Sequence, residues 1–403
     1  RAFHRAGPEM DPMQASQADA RAREAAATIP VYGQLPFVPE HAEGCEIITG
    51  DGRRILDLYG GHAVAALGYR HPRLVAAVAR QAEALLFQSN AVALDIRAQA
   101  AEKLVSIAPA SLERVFFVNS GAEANENALR MACSVTQRSK VLAITHGFHG
   151  RTAAAGAVTW NSGKWYGFPQ KPFEVDFIPR DDCAAVESMI GPDVAAVIVE
   201  PVQGVAGAFD LSADFLHALR NSTRQHGALL IADEVQSGMG RCGRYFAVQS
   251  YDIEPDLLTS AKSLGGGVPC AAVLSRNDIA ERFGPGDLGT TFGGGPLAAA
   301  AINAVIDAIE HEGLLANVRE REAQIRDRCL TGPVTRIQGK GLLLGLVCDR
   351  PAVEVRNALL EHDILTGTSA DPHVLRILAP LVITDEHVDH LARSLAAIAG
   401  GST

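Results

Sequence analysis

The chain has 403 residues, 47% of them hydrophobic and 20% charged, with a formal net charge of -10. That length and apolar content support a large core spread over two or three domains, and the acidic balance argues against nucleic acid as a partner. No apolar run is long enough to span a membrane, and seven scattered cysteines without a Cys-x-x-Cys pair or a zinc-like cluster point to free thiols in a reducing, cytoplasmic compartment.

Residues 1–27 are rich in Ala and Arg and lack the apolar stretch of a secretory signal, so they read as an N-terminal extension, disordered or helical. Within residues 28–58, Cys45–Leu58 is β-like around an Asp51-Gly52 turn and is expected to join a smaller domain. From Tyr59 to Pro296 short aliphatic runs alternate with helical patterns: Arg114–Asn119 with a helix from Ala122, then Val141–Thr145, Ala195–Glu200, Ala228–Asp233, Leu257–Ser260 and Ala271–Ser275. Near-continuous aliphatic runs separated by helices are the pattern of buried parallel strands, so residues 59–296 are expected to form one large α/β domain with a mostly parallel sheet. Residues 297–403 differ. They hold an alanine-rich helix at Leu297–Gly313, a strand-like Val334–Cys348 interrupted by Gly339-Lys340-Gly341, a strand at Val374–Ile383 and a helix at Glu386–Ala397, which together suggest a smaller α+β domain.

Four segments carry candidate chemistry. Asn119–Glu126 runs from a strand through a Gly turn into a helix, which aims free N–H groups and the positive helix end at one point where a phosphate fits. It also reads as an ordinary capped helix, with Ser120 as N-cap and Glu123 closing a capping box. In Thr145–Thr152, Phe148 stands between glycines at a strand end and can lie over a planar heterocycle, while Arg151 suits a carboxylate; a surface loop with a solvated Arg is the alternative. Asp233 ends a strongly hydrophobic strand, where a protonated pyridine nitrogen is a suitable partner; a metal ligand or a helix N-cap are the alternatives, and no second ligand cluster supports a metal. Lys262 follows a short apolar strand and precedes Gly265–Gly267. A partly buried lysine loses its proton more readily and attacks aldehydes, although a lone strand-end lysine is more often solvated.

None of these segments decides alone. Their order does: a phosphate turn, an aromatic plate, a strand-end acid and a glycine-flanked lysine all fall at strand ends, where ligands of open α/β sheets collect. Pyridoxal 5'-phosphate (PLP) is the one cofactor that needs all four groups. A nicotinamide-dependent dehydrogenase would want Gly-x-Gly-x-x-Gly after a first strand, and Gly265–Gly267 lacks that spacing.

From about Val31 to Ala399 the chain resembles the class III aminotransferases of PLP fold type I, and among them the acetylornithine/ornithine aminotransferase group. The resemblance rests on Tyr59-Gly60-Gly61 through Leu67-Gly68 and His71-Pro72, on Ser120–Glu126, on Phe148-His149-Gly150-Arg151-Thr152, on Glu200-Pro201-Val202-Gln203-Gly204, on Asp233–Gly240, on Lys262 and on Thr291-Phe292-Gly293-Gly294. It implies that Lys262 carries PLP as a Schiff base, that Gly121 and Ala122 bind the phosphate, and that Thr291 reaches the phosphate of a neighbouring subunit in a homodimer. It further implies that Phe148 and Val235 cover the two ring faces, that Asp233 pairs with the ring nitrogen, that Gln236 contacts the ring hydroxyl and that Glu200 orients this network. Arg151 and Arg376 are implied as clamps for substrate carboxylates, with Thr290 touching substrate. The implied reaction passes an amino group from an N-acetylornithine-like donor to 2-oxoglutarate with ping-pong kinetics, without a metal. Ornithine, GABA or another acylated diamino acid are alternative donors, and a PLP aminomutase is an alternative activity, although aminomutase relatives usually show Met where Gln236 stands.

The chain departs from that pattern at three positions. Val205 stands where many ornithine- and GABA-type relatives carry a Glu that pairs with the second arginine, so Arg376 is expected to be permanently available to a carboxylate, or the donor to be acidic or otherwise different. Gly295 replaces the Asn of Gly-Gly-Asn-Pro, and Leu288 replaces a His before Gly289-Thr290-Thr291.

Overall fold

The structure, a computed structural model, describes residues 12–398. Its centre is a seven-stranded sheet in the order Arg114–Val118, Ala271–Ser275, Leu257–Ser260, Leu229–Asp233, Val194–Val199, Lys140–Ile144, Glu174–Ile178. The inner strands are aliphatic throughout because both of their faces are covered. Successive side chains point into two different cores: Leu142, Ile144, Val197, Val199, Leu230 and Ala232 into one, and Val141, Ala143, Ala196, Ile198, Leu229 and Ile231 into the other. Fully burying each larger aliphatic side chain is worth about 1.5–3 kcal/mol, which is why the alternation of a half-exposed strand is absent here.

The sheet is mostly parallel, with one reversal. Ala271–Ser275 pairs antiparallel with both Leu257–Ser260 and Arg114–Val118, against the expectation of a parallel strand. The connection, residues 261–270, is shorter than the dozen or so residues that a parallel crossover requires, so the chain turns straight back. The edge strand Glu174–Ile178 was not anticipated. It alternates exposed and half-buried residues, and its Asp176 lies 3.4 Å from Lys140 on the neighbouring strand. Polar residues on one edge hide it from a search for aliphatic runs.

The first and last parts of the described chain meet in one sheet. Pro39–Glu43, Glu46–Thr49 and Arg54–Asp57 form a meander whose last strand pairs in parallel with Ile364–Leu365. A three-stranded sheet joins Val334–Lys340, Leu343–Cys348 and Val374–Ile377. The strand-like stretch Val334–Cys348 is a hairpin, and its Gly-Lys-Gly interruption is where it turns, with Gly341 at φ 61°. The expected strand Val374–Ile383 stops at Ile377, three residues before Pro380, which has no N–H to give a ladder. The alanine-rich helix Pro296–His311 is buried along most of its length and packs on helices Pro72–Ala84 and Asp95–Ile107, its small side chains allowing close approach. Helix Pro12–Ala27 precedes the first strand; residues 1–11 of the N-terminal extension lie outside the described residues. No helix among the described residues is long and apolar enough to cross a membrane.

Candidate active site

Five segments converge where their strands end. Ser120–Ala122, Phe148–Gly150, Glu200, Asp233 and Lys262 follow or end the strands Arg114–Val118, Lys140–Ile144, Val194–Val199, Leu229–Asp233 and Leu257–Ser260, and all line one cavity of about 410 Å³. That size is within the range of small-molecule sites. Val64, Val205, Val235 and Val268 make much of its remaining wall apolar.

Ser120 is the N-cap of helix Gly121–Thr136, as the capped-helix reading has it, accepting from Glu123 N at 3.2 Å. The Glu123 carboxylate reaches past the N-cap and accepts from Asn119 N at 2.9 Å, so the reciprocal bond of a capping box is displaced by one residue. The first-turn N–H groups of Gly121 and Ala122 have no intrahelical carbonyl to meet and stand at the cavity. Gly121 cannot be larger, because a Cβ there would come 2.7 Å from Val235 Cγ1.

Asp233 is 3% exposed. Its Oδ2 accepts from Asn125 Nδ2 at 2.8 Å and meets His149 Nδ1 at 2.7 Å, while Oδ1 accepts from Val235 N at 3.0 Å. Thr259, paired with Asp233 across the parallel ladder, donates to Asn125 Oδ1 at 2.8 Å and so fixes which way the amide points. Buried carboxylates persist only when such donors replace water. Sequence reasoning assigned no role to Asn125, His149 or Thr259. Asn125 was findable, since it lies one helical turn after Gly121 on the same face.

Glu200 is buried and spans two loops, its Oε1 accepting from Phe148 N at 2.8 Å and its Oε2 from Gly204 N at 3.2 Å. Burial pushes its carboxyl well above the usual range, with His149 opposing and Asp233 adding to the shift. Lys262 is half-buried, with a left-handed φ of 47°. Burial lowers its ammonium pKa to about 8, against the raising influence of Asp233 and Glu200 and with help from the nearby Arg376.

The remaining candidates lie around this cavity and outside its lining. Arg376 is buried beside it, bonded to Gly204 O at 3.3 Å. Arg151 is exposed, its guanidinium 4.6 Å from the Trp165 ring centre and 6.0 Å from that of Phe148. Thr290 Oγ1 accepts from Asn119 Nδ2 at 3.4 Å and from Gly293 N at 3.1 Å. Thr291 is exposed on the same loop. Gly295 is the N-cap of helix Pro296–His311 and, without a side chain, caps nothing, while Leu288 packs half-buried against the core.

The family model for Aminotransferase class-III matches residues 29–399. The chain belongs to the class III aminotransferases. It is 40% identical over 372 residues to an acetylornithine aminotransferase of Methanopyrus kandleri, covering 91% of this chain and 95% of that one. A solved ornithine aminotransferase of Toxoplasma gondii superposes with a TM-score of 0.89 at 30% identity, over 97% of this chain and 96% of that one. An acetylornithine aminotransferase of Elizabethkingia anophelis superposes with a TM-score of 0.84 at 30% identity, over 94% and 99%. As a class III aminotransferase, this chain is a PLP-dependent transaminase of fold type I.

The cavity of this aminotransferase fits that cofactor on its own geometry. Gln236 Oε1 is buried with no partner among the described residues, an acceptor ready for a ring hydroxyl. Gly204 makes room for it, since a Cβ there would lie 1.6 Å from Gln236 Oε1. Unpaired N–H groups suit a phosphate, apolar walls suit a ring, a buried carboxylate suits a pyridinium and a lysine of lowered pKa suits an aldehyde. Among the described residues no group of three or more His, Cys, Asp or Glu is placed to hold a metal ion.

Proposed function

We propose that this aminotransferase moves the amino group of an N-acetylornithine-like donor to 2-oxoglutarate by a ping-pong cycle, working as a homodimer. The observation that carries the reading is the placement of Asp233 and Lys262 at the ends of adjacent parallel strands, in the wall of one cavity. The acylated donor is supported by the relatives named acetylornithine aminotransferase at 36–40% identity over about nine-tenths of the chain.

PLP, when bound, supplies an aldehyde for a lysine amine and a protonated ring that draws electrons from the carbon bearing the transferred amino group. The chain supplies the rest. Gly121 and Ala122 hold the phosphate with backbone N–H groups. Phe148 and Val235 confine the ring, and Gln236 Oε1 accepts from its hydroxyl. Asp233, kept in place by Asn125 and His149, holds the proton on the ring nitrogen. Glu200 keeps the Phe148 backbone and the Gly204 loop in register. The Lys262 amine carries the proton to and from the substrate carbon, a role for which a pKa near the working pH is suited. Arg151 and Arg376 bind substrate carboxylates and Thr290 touches the substrate.

The dimer is supported by an apolar strip on the segment around Leu86 (61% exposed) and by Phe87, whose ring lies 5.3 Å from that of Phe292, itself 64% exposed beside Thr291. A second copy of the chain would cover such a strip, and that would deliver Thr291 to the cofactor phosphate of the partner. A donor screen with 2-oxoglutarate, following glutamate formation, tests the whole reading. The highest kcat/KM is expected for an acylated diamino acid. Preference for free ornithine or GABA would overturn the donor assignment, and absence of glutamate the acceptor.

A further inference from the structure

Arg376 is buried, and among the described residues no carboxylate is hydrogen-bonded to it; Glu200 acts on its charge only through space. Its Nε donates to Thr368 O at 2.7 Å, Nη1 to Gly204 O at 3.3 Å and Nη2 to Tyr59 Oη at 2.9 Å. A guanidinium has five N–H donors, so two remain for an incoming anion. A buried cation with no carboxylate bonded to it is costly, and burial accordingly lowers the Arg376 pKa.

The tyrosine is itself held. Tyr59 Oη lies 2.7 Å from His62 Nδ1, and the two rings are 4.7 Å apart. Arg376 can only donate, so Tyr59 Oη accepts from it and keeps its own hydrogen to give to His62 Nδ1 in the tautomer with the imidazole proton on Nε2. The result is a neutral relay from Arg376 through Tyr59 to His62.

The backbone is bent at a cost to make this contact. Gly60, Gly61, His62 and Ala63 all have left-handed φ, from 54° to 65°. For His62 and Ala63, which carry a Cβ, that conformation is strained. Both ends of the turn are clamped: Asp57 Oδ1 accepts from Tyr59 N at 2.8 Å and Gly60 N at 2.9 Å, and Ser263, next to Lys262, donates to Ala63 O at 2.8 Å. On its other side the Tyr59 ring presses on Gly367, where a Cβ would come 1.9 Å from Tyr59 Cε2. Gly367 in turn exchanges backbone bonds with Arg376 itself. Strain held in place from both ends is the mark of a position the structure over-determines.

We infer that Tyr59 and His62 are positioning residues that hold Arg376 as a full, aligned cation for one carboxylate of a dicarboxylic oxo acid, in place of an internal carboxylate partner. This rests on the reading of Arg376 as a substrate-carboxylate residue. A neutral relay fixes the fork without competing for its charge, so nothing has to be displaced when the acid binds.

The test uses the holoenzyme and glutarate, an unreactive dicarboxylate, with butyrate as the monocarboxylate control, both titrated calorimetrically. His62→Gly removes the acceptor while suiting the left-handed backbone. His62→Asn keeps an acceptor near the Nδ1 position and also tolerates that backbone. His62→Gly and Tyr59→Phe should each weaken glutarate binding about fivefold, the worth of one hydrogen bond, with butyrate unchanged and KM for the oxo acid rising more than kcat falls. His62→Asn should stay within about twofold of wild type on the same reasoning. Wild-type glutarate affinity in His62→Gly, or equal loss in His62→Asn, would overturn the relay. If Arg376→Ala binds glutarate as wild type does, the substrate reading of Arg376 fails instead, and the two failures are told apart.

Discussion

PLP added to the apoenzyme should attach at a rate that depends on pH through Lys262. Burial lowers the pKa of this lysine from 10.5 to about 8. At pH 7 an ordinary lysine is neutral for about 0.03% of the time, whereas one with a pKa near 8 is neutral for about 10%, a gain of roughly 300-fold in attacking amine. Attachment, followed by the rise of the visible absorption band in stopped flow, should climb about tenfold per pH unit below pH 8 and level off above it. Arg376 contributes to the lowered value through its positive charge. Arg376→Ala should therefore move the inflection upward, toward 10.5. A rate that keeps climbing past pH 10 in the wild type would mean an unperturbed lysine, and a rate independent of pH would mean that proton loss from Lys262 does not limit attachment. Either result refutes the reasoning.

The same lowered pKa has a stability consequence. Between pH 8 and 10.5 the unfolded chain binds the Lys262 proton that the folded apoenzyme has lost, so this group raises stability as pH rises through that window. The Tm advantage of Lys262→Met apoenzyme over wild type should accordingly shrink from pH 8 to 10.5, and a constant gap would contradict it. Asn125→Ala takes one donor from the buried Asp233 carboxylate and leaves Thr259 only its longer bond to Asp233 Oδ1, which should cost about 1–3 kcal/mol in urea unfolding and weaken PLP retention. Gly204→Ala should leave folding nearly intact, because the clash falls on the flexible end of Gln236, yet speed the loss of PLP on dialysis. Phe87→Asp, placing a charge in the apolar strip beside Phe292, should shift the sedimentation profile toward monomer with a parallel fall in activity.

The aliphatic strands were legible because burial on both faces leaves no polar residue in them, and Leu257–Ser260 and Ala271–Ser275 were bounded to the residue. The direction of Ala271–Ser275 was not, because strand sense depends on the length and path of a connection and leaves no mark on composition. Glu174–Ile178 was invisible for the opposite reason: one edge faces water and carries Glu174 and Asp176. Within the site, Gly121, Ala122, Phe148, Glu200, Asp233, Val235, Gln236 and Lys262 all follow or end strands, and the structure brings them to one cavity. His149 sat inside a motif that had been singled out, but its partner Asp233 is 84 residues away. The contact between Tyr59 and Arg376 spans 317 residues and depends on the two segments meeting where Leu378 N donates to Leu58 O, which no local pattern encodes.

The central claim is that Lys262 is the residue that carries the cofactor. The chain has six lysines: Lys103, Lys140, Lys164, Lys171, Lys262 and Lys340. Borohydride reduction of the holoenzyme, followed by proteolysis and mass spectrometry, should find the reduced cofactor on the peptide containing Lys262 and on no other. Label on any of the other five, or a wild-type chain that releases all its cofactor after reduction, would contradict the account.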